Sequence, residues 1–220
     1  MSVRVFAPAK INLTLEVGRP RADGYHPLQS AVIFAGEGDW VEAELADTLT
    51  LAIAGPFAAG LEADENNLVV RAARLLDPAR GASLKLEKNL PIASGIGGGS
   101  SDAAAALLAL NELWGLGLPL SELSKLAAKL GADVPVCLHK QPAWMFGVGA
   151  DVRPMRAPNL HGVLVNPGKP LSTPAVYRRF DEMALGGSFE ARSAVDWASA
   201  EEAVGAVAEI LRACNLTAFT

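Results

Sequence analysis

The segment "LPIASGIGGGSSDAAAALLALNELW" (90–114) sets Gly95, Gly97, Gly98 and Gly99 directly before an alanine- and leucine-rich run. Glycine loses more backbone freedom on ordering than any other residue, so such a run needs a reason. A helix N-terminus offers unpaired N–H groups and a partial positive charge, which together attract anions. Glycines just before it would let a phosphate reach those amides with no Cβ in the way. Ser100 and Ser101 stand where the turn meets the expected helix, and either could cap it or donate a hydroxyl to a phosphate. Asp102 could meet a magnesium ion, directly or through water. The bland reading is a tight turn between a strand and a helix.

The known phosphate loops narrow this. A P-loop needs Lys and Ser/Thr after its second glycine, and none follows here. Gly95-x-Gly97-x-x-Ser100 approaches a dinucleotide fingerprint. That fingerprint requires a following strand and a suitably placed acid. Glu112 has about the right spacing, but it falls in the expected helix. A phosphate loop without its own lysine must take positive charge from elsewhere in the fold or from a metal.

Six other positions bear polar chemistry. Lys10 opens an alternating segment and by itself is an ordinary strand-start lysine. Asp133 in "LGADVPV" reads first as a helix cap, but an ionised carboxylate there could also accept a hydroxyl proton. Tyr25-His26 follows a tight turn. A flat aromatic beside a hydrogen-bonding imidazole can be structural or can hold a nucleobase. Thr173 and Tyr177 lie one helical turn apart, as cap and core contact or as ligand groups. Anion loop, lysine, carboxylate and aromatic pair together suggest phosphoryl transfer. In that chemistry a protein mainly positions groups and neutralises charge, with magnesium on the donor phosphates.

The elements that must hold these groups follow from periodicity. Alternation predicts strands over 10–18, 39–46 and 48–55, with a turn at Asp23-Gly24 leading into another strand that ends near 34. Leu68, Ala72, Leu75 and Leu76 predict a helix capped by Asn66 or Asn67. A strand over 82–91 delivers the chain to the glycines, and a helix follows over 101–114. A further helix is expected over 121–130, capped by Ser121 and closed by Gly131. Segments 142–149 and 162–168 are strand-like, 172–183 and 199–214 helical, and the stretch between those two helices is a connection. Strands first, then helices mixed with strands, make an α+β pattern.

Bulk properties exclude several classes. The chain has 220 residues, 50% of them hydrophobic, which is ample for a core. Its net charge of −5 and lack of a basic stripe argue against nucleic acid. Cys137 and Cys214 stand alone, without the spacing of a zinc site, and no protein-held metal site is expected. Two isolated thiols fit a reducing cytoplasm. The N-terminus lacks the pattern of a signal peptide, and the longest apolar run, 103–110, is too short to span a membrane.

The ordered segments "PAKINLTLEV", "RADGYHPLQS", "NLVVRAARLL", the glycine segment, "LGADVPV" and "VNPGKPLSTPAVY" closely resemble the GHMP kinase superfamily (galacto-, homoserine, mevalonate and phosphomevalonate kinases). The match runs from about residue 6 to 180. "PAKINL" with "RADGYH" is similar to the members that act on 4-diphosphocytidyl-2-C-methyl-D-erythritol in the non-mevalonate route to isoprenoids. The resemblance implies a two-domain α+β fold. A ribosomal-protein-S5-domain-2-like domain would span 1–150, and part of a C-terminal α/β sandwich domain would span 151–220. It implies ATP, with Mg²⁺, as phosphoryl donor to the substrate's 2-hydroxyl. Asp133 would be the base, and Lys10 would keep it ionised and stabilise the transferring group. Pro91, Ala93, Ser94, Gly95, Ile96, Gly97, Gly98, Gly99, Ser100 and Ser101, with Asn67, would surround the nucleotide. Tyr25 and Tyr177 would sandwich the cytosine, His26 would read its edge, and Thr173 and Asn12 would help to hold the substrate. The implied protein is a monomer or homodimer with no membrane partner. The superfamily's third glycine motif, of the type S-G-S-G-A, does not occur in this sequence, so the second domain is expected to be incomplete. Other readings stay open: a non-catalytic nucleotide-binding relative, an inactive fragment, or a GHMP kinase for a smaller alcohol. An aromatic clamp speaks against the last, because a small alcohol gives it nothing to grip.

Overall fold

A computed structural model describes residues 2–157, 160–166 and 172–183. Two compact units emerge, and neither is one continuous stretch of chain. The first comprises Met1–Ile11, Phe34–Ile92 and Ile96–Gln141, and the second Asn12–Ile33, Ala93–Gly95 and Pro142–Thr220. This partition differs from a single cut near residue 150, because the chain passes between the units several times.

In the first unit, strand β4 (Ala82–Glu87) buries Ala82, Leu84 and Leu86 and exposes the residues between them. It pairs antiparallel with the C-terminal half of β2 (Leu28–Leu45), Trp40 opposite Glu87 through Leu45 opposite Ala82. On its other side it pairs in parallel with β3 (Leu49–Ala54). Parallel neighbours need a crossover. Helix α1 (Leu68–Leu76) supplies it, and the Asn67 side chain accepts from the Val69 amide as its cap. Strand β1 (Ser2–Val17) pairs with β2.

Helix α2 (Gly98–Leu113) packs against α1 and α4 (Val134–His139), and α3 (Leu120–Leu130) packs against α4. Ala103–Leu107, Ala109 and Leu110 are all fully buried. A helix apolar on every side belongs inside a core.

In the second unit, the N-terminal half of β2 pairs antiparallel with β5 (Ala143–Gly147), which pairs antiparallel with β6 (Asp151–Pro154). The turn before β2 places Gly24 at φ +81°, and the Gly18 amide donates to the Pro27 carbonyl. Helix α5 (Thr173–Glu182) buries Phe180.

Several sequence expectations change. The two strands expected on either side of Gly36 and Gly38 are one strand, β2. Gly38 is no break: a side chain there would run into the backbone of Ala7 and Pro8, so glycine permits close approach within the sheet. Helix α2 begins at Gly98, which puts both serines inside it. Helix α3 is preceded by Pro119, and Ser121 lies within the helix instead of capping it. Residues 162–166 form no strand. The expected connection after α5 and the helix over 199–214 lie outside the described residues, as does Cys214.

Candidate active site

Lys10 is not the exposed strand-start residue that its local sequence suggests. It sits inside β1 and is only 3% exposed. Its Nζ lies 3.4 Å from Asp133 Oδ2, while the Asp133 side chain keeps 38% of its surface open. Asp133 occupies the cap position of α4 but makes no capping bond with its side chain. The carboxylate is thus turned to the lysine instead of to its own helix. A buried cation behind a partly open carboxylate gives an anion that outside molecules can reach.

The glycine segment lies against this pair. The Lys10 amide donates to the Ile96 carbonyl at 2.9 Å. Gly97 has φ +66°, and a Cβ there would come within 3.1 Å of Lys10 Cβ and Cε. Both facts favour glycine: the left-handed backbone disfavours other residues, and the lysine stem crowds the space. Ala93 and Gly95 also have positive φ, +52° and +75°. Left-handed conformations at every second residue are the pattern from which backbone anion nests are built. Gly97 caps α2 and offers no side-chain bond to the helix's first amides. A Cβ at Gly95 would meet nothing within 4 Å, and one at Gly99 only Leu68 Cδ1, at 3.6 Å.

The two serines divide. Ser101 is buried and donates its hydroxyl to the Pro8 carbonyl at 2.7 Å, so its proton is committed within the protein. Ser100 is only half-buried. Asp102 does not face outward to a metal. It is buried, and its Oδ2 accepts from Lys88 Nζ at 2.8 Å. Burial raises the Asp102 pKa most; Lys88 opposes this and Asp39 adds to it, leaving it near 7. Burial works against charge on Lys88 too, but the Asp102 and Asp39 carboxylates prevail and hold its pKa above the ordinary lysine value. Sequence reading missed Lys88 and Asp39. Lys88 stands just before the glycine segment, but its partners are 14 and 49 positions away, a spacing without periodic meaning. Burial, with the Asp133 charge nearby, pushes the Cys137 thiol up to about 12, so it is no nucleophile. Asn67 is engaged as the α1 cap, and its Nδ2 donates to the Glu62 carbonyl.

The second unit gathers another group of expected residues. His26 Nε2 and Asp181 Oδ1 are 2.8 Å apart. The His26 ring lies 4.7 Å from the Tyr177 ring, tilted by 39°, and meets Phe180 edge-on at 5.6 Å. Helix spacing explains the set: Tyr177, Phe180 and Asp181 fall at i, i+3 and i+4 on α5. Tyr25 is 62% exposed, an unusual position for a large aromatic ring. Asn12 donates to Ser30 Oγ at 2.6 Å. Thr173 opens α5 and is exposed.

Residues 67–141 match the GHMP kinases N terminal domain. The chain is 48% identical over 202 residues to the 4-diphosphocytidyl-2-C-methyl-D-erythritol kinase of Cereibacter sphaeroides, covering 90% of this chain and 69% of that protein. The chain belongs to the 4-diphosphocytidyl-2-C-methyl-D-erythritol kinase family of GHMP kinases. It is 55% identical over 179 residues to the kinase of the same name from Ruegeria pomeroyi, covering 81% of this chain and 63% of that one. A crystal structure of 4-(cytidine 5'-diphospho)-2C-methyl-D-erythritol kinase superposes with a TM-score of 0.63 at 37% identity, covering 80% of this chain and 63% of the other. Most of this chain therefore carries the GHMP kinase fold, and it spans under two thirds of the length of these last two relatives.

Proposed function

We propose that this chain binds ATP at residues 91–101 and transfers the γ-phosphoryl group to the 2-hydroxyl of 4-diphosphocytidyl-2-C-methyl-D-erythritol. The single observation that carries the reading is the Lys10–Asp133 pair, 3.4 Å apart, with the glycine segment bonded to the Lys10 backbone. It joins a base, a cation and an anion loop at one place, as phosphoryl transfer requires.

Asp133 accepts the hydroxyl proton as the substrate oxygen attacks the γ-phosphorus, and the bond to ADP breaks. Lys10 offsets negative charge on the carboxylate and on the phosphoryl group in transit. Bare amides at the start of α2 hold phosphate oxygens. Among the described residues no cluster of acids, histidines or cysteines forms a cation site. Magnesium would arrive on the ATP phosphates and supply charge neutralisation there. His26, Tyr177 and Tyr25 provide ring faces and a hydrogen-bonding edge suited to a cytosine, with Asn12 and Thr173 as further substrate contacts.

The test is a coupled assay of ADP release from this chain, with and without the diphosphocytidyl substrate. Substrate-dependent turnover is expected. ADP release that ignores the substrate, or binding of both ligands with no turnover, would remove the assignment of this activity to the chain.

A further inference from the structure

The chemistry proposed above leaves one buried charged cluster unused. Lys88, Asp39 and Asp102 are 3%, 0% and 3% exposed. Lys88 Nζ donates to Asp102 Oδ2 and also to Asp39 Oδ2. The other oxygen of Asp39 accepts the backbone amides of Asn89 and Leu90. Asp102 belongs to the opening turns of α2, and its Oδ1 has no hydrogen-bond partner among the described residues. A Cβ added to Gly98 would lie 3.1 Å from Lys88 Nζ, so the start of the helix rests on the ammonium.

One ammonium thus joins the two ends of the glycine segment. Its incoming end, 88–90, is held through Asp39, and its outgoing end through Asp102. Stability is a poor explanation for the cluster. Desolvation cancels much of the attraction in a buried ion pair, and here two carboxylates share one cation. A buried ionic group can instead fix one geometry among several that are close in energy. We propose that Lys88 is a positioning residue for nucleotide binding, clamping both ends of the glycine segment so that its amides stand ready for a triphosphate. This rests on the reading of 91–101 as the ATP loop.

The test is calorimetric titration of the 220-residue chain with magnesium and the β,γ-imido analogue of ATP, and separately with cytidine diphosphate. Lys88→Met alone would leave two buried carboxylates unpaired and risks unfolding. The informative variant combines Lys88→Met, Asp39→Asn and Asp102→Asn. It leaves no charge in this cluster, and the amide at position 39 can still accept from residues 89 and 90. Expected are an unchanged circular dichroism spectrum, unchanged cytidine diphosphate affinity and a loss of about tenfold or more in affinity for the ATP analogue. General destabilisation would weaken both ligands alike. Should the triple variant not fold, Asp39→Asn, which severs only the Lys88–Asp39 link, decides by the same two affinities. Wild-type affinity for the ATP analogue in the folded variant overturns the clamp and leaves the loop reading intact. A wild-type chain that binds cytidine diphosphate but not the ATP analogue sinks the loop reading, and the clamp with it.

Discussion

Asp133 and Lys10 differ sharply in exposure, 38% against 3% of their side chains. That asymmetry suits a base that meets substrate and a cation that stays behind it. Asp133→Asn nearly preserves shape and removes the charge. Turnover should fall by about 10² or more while the affinity for the ATP analogue stays within a few-fold, as for loss of a general base. Near-normal turnover in a rate assay would displace Asp133 from that role. Gly97→Ala tests the loop from the other side. The substitution meets a left-handed backbone, costing about 1–2 kcal/mol, and its methyl group presses on the Lys10 stem. Gly60→Ala is the control, since its φ is +86° and a Cβ there meets nothing within 4 Å. Both variants should lose similar stability in denaturant melts, but only Gly97→Ala should lower turnover. Equal turnover in the two would show that the contact with Lys10 is dispensable.

At the scale of elements, α2 carries the phosphate-loop end of the proposed site. Its N-terminus is held by Ser101, whose amide donates to the Gly97 carbonyl and whose hydroxyl donates to the Pro8 carbonyl, and its body by Leu107 and Leu110, both fully buried. Leu110→Ala opens a cavity far from the Lys10–Asp133 pair in sequence. It should cost about 2–5 kcal/mol of folding stability, read from denaturant midpoints. A loss below about 1 kcal/mol would mean that the core around α2 is looser than its burial implies. This helix was legible in the sequence because alanine and leucine form helices well and the glycines mark its start. Its first turn was not, because serine and glycine have weak helix propensity and only packing decides their state. The same limit explains β2. Gly36 and Gly38 look like a break, but the neighbouring strand needs a residue without a side chain at 38. Residues 162–166 show the converse: an apolar run is not by itself a strand.

For the whole molecule, Asp102 adds a pH dependence to stability. Its folded pKa of about 7 lies above its usual 3.8, chiefly through burial, so the folded state holds this proton more tightly than the unfolded state. Stability from this group is full below about pH 4 and is lost as pH rises towards 7. Wild-type unfolding free energy, measured in denaturant, should therefore drop between pH 5 and pH 8 more than that of Asp102→Asn. Identical slopes would mean that Asp102 stays ionised throughout. The high Lys88 pKa leaves that residue charged across this window and adds no slope. The sequence by itself determined the glycine segment, the α+β class, most helices and the family, because these rest on local propensity and on motifs read along the chain. It also named Lys10, Asp133, His26 and Tyr177. Only the tertiary structure decided which of these meet: Lys10 with Asp133, and His26 with Tyr177 and Asp181. It alone moved Asp102 from a metal-facing position into a buried triad with Lys88 and Asp39. The physical reason is that burial and ion pairing depend on partners tens of residues away, and no periodicity in the chain records that distance.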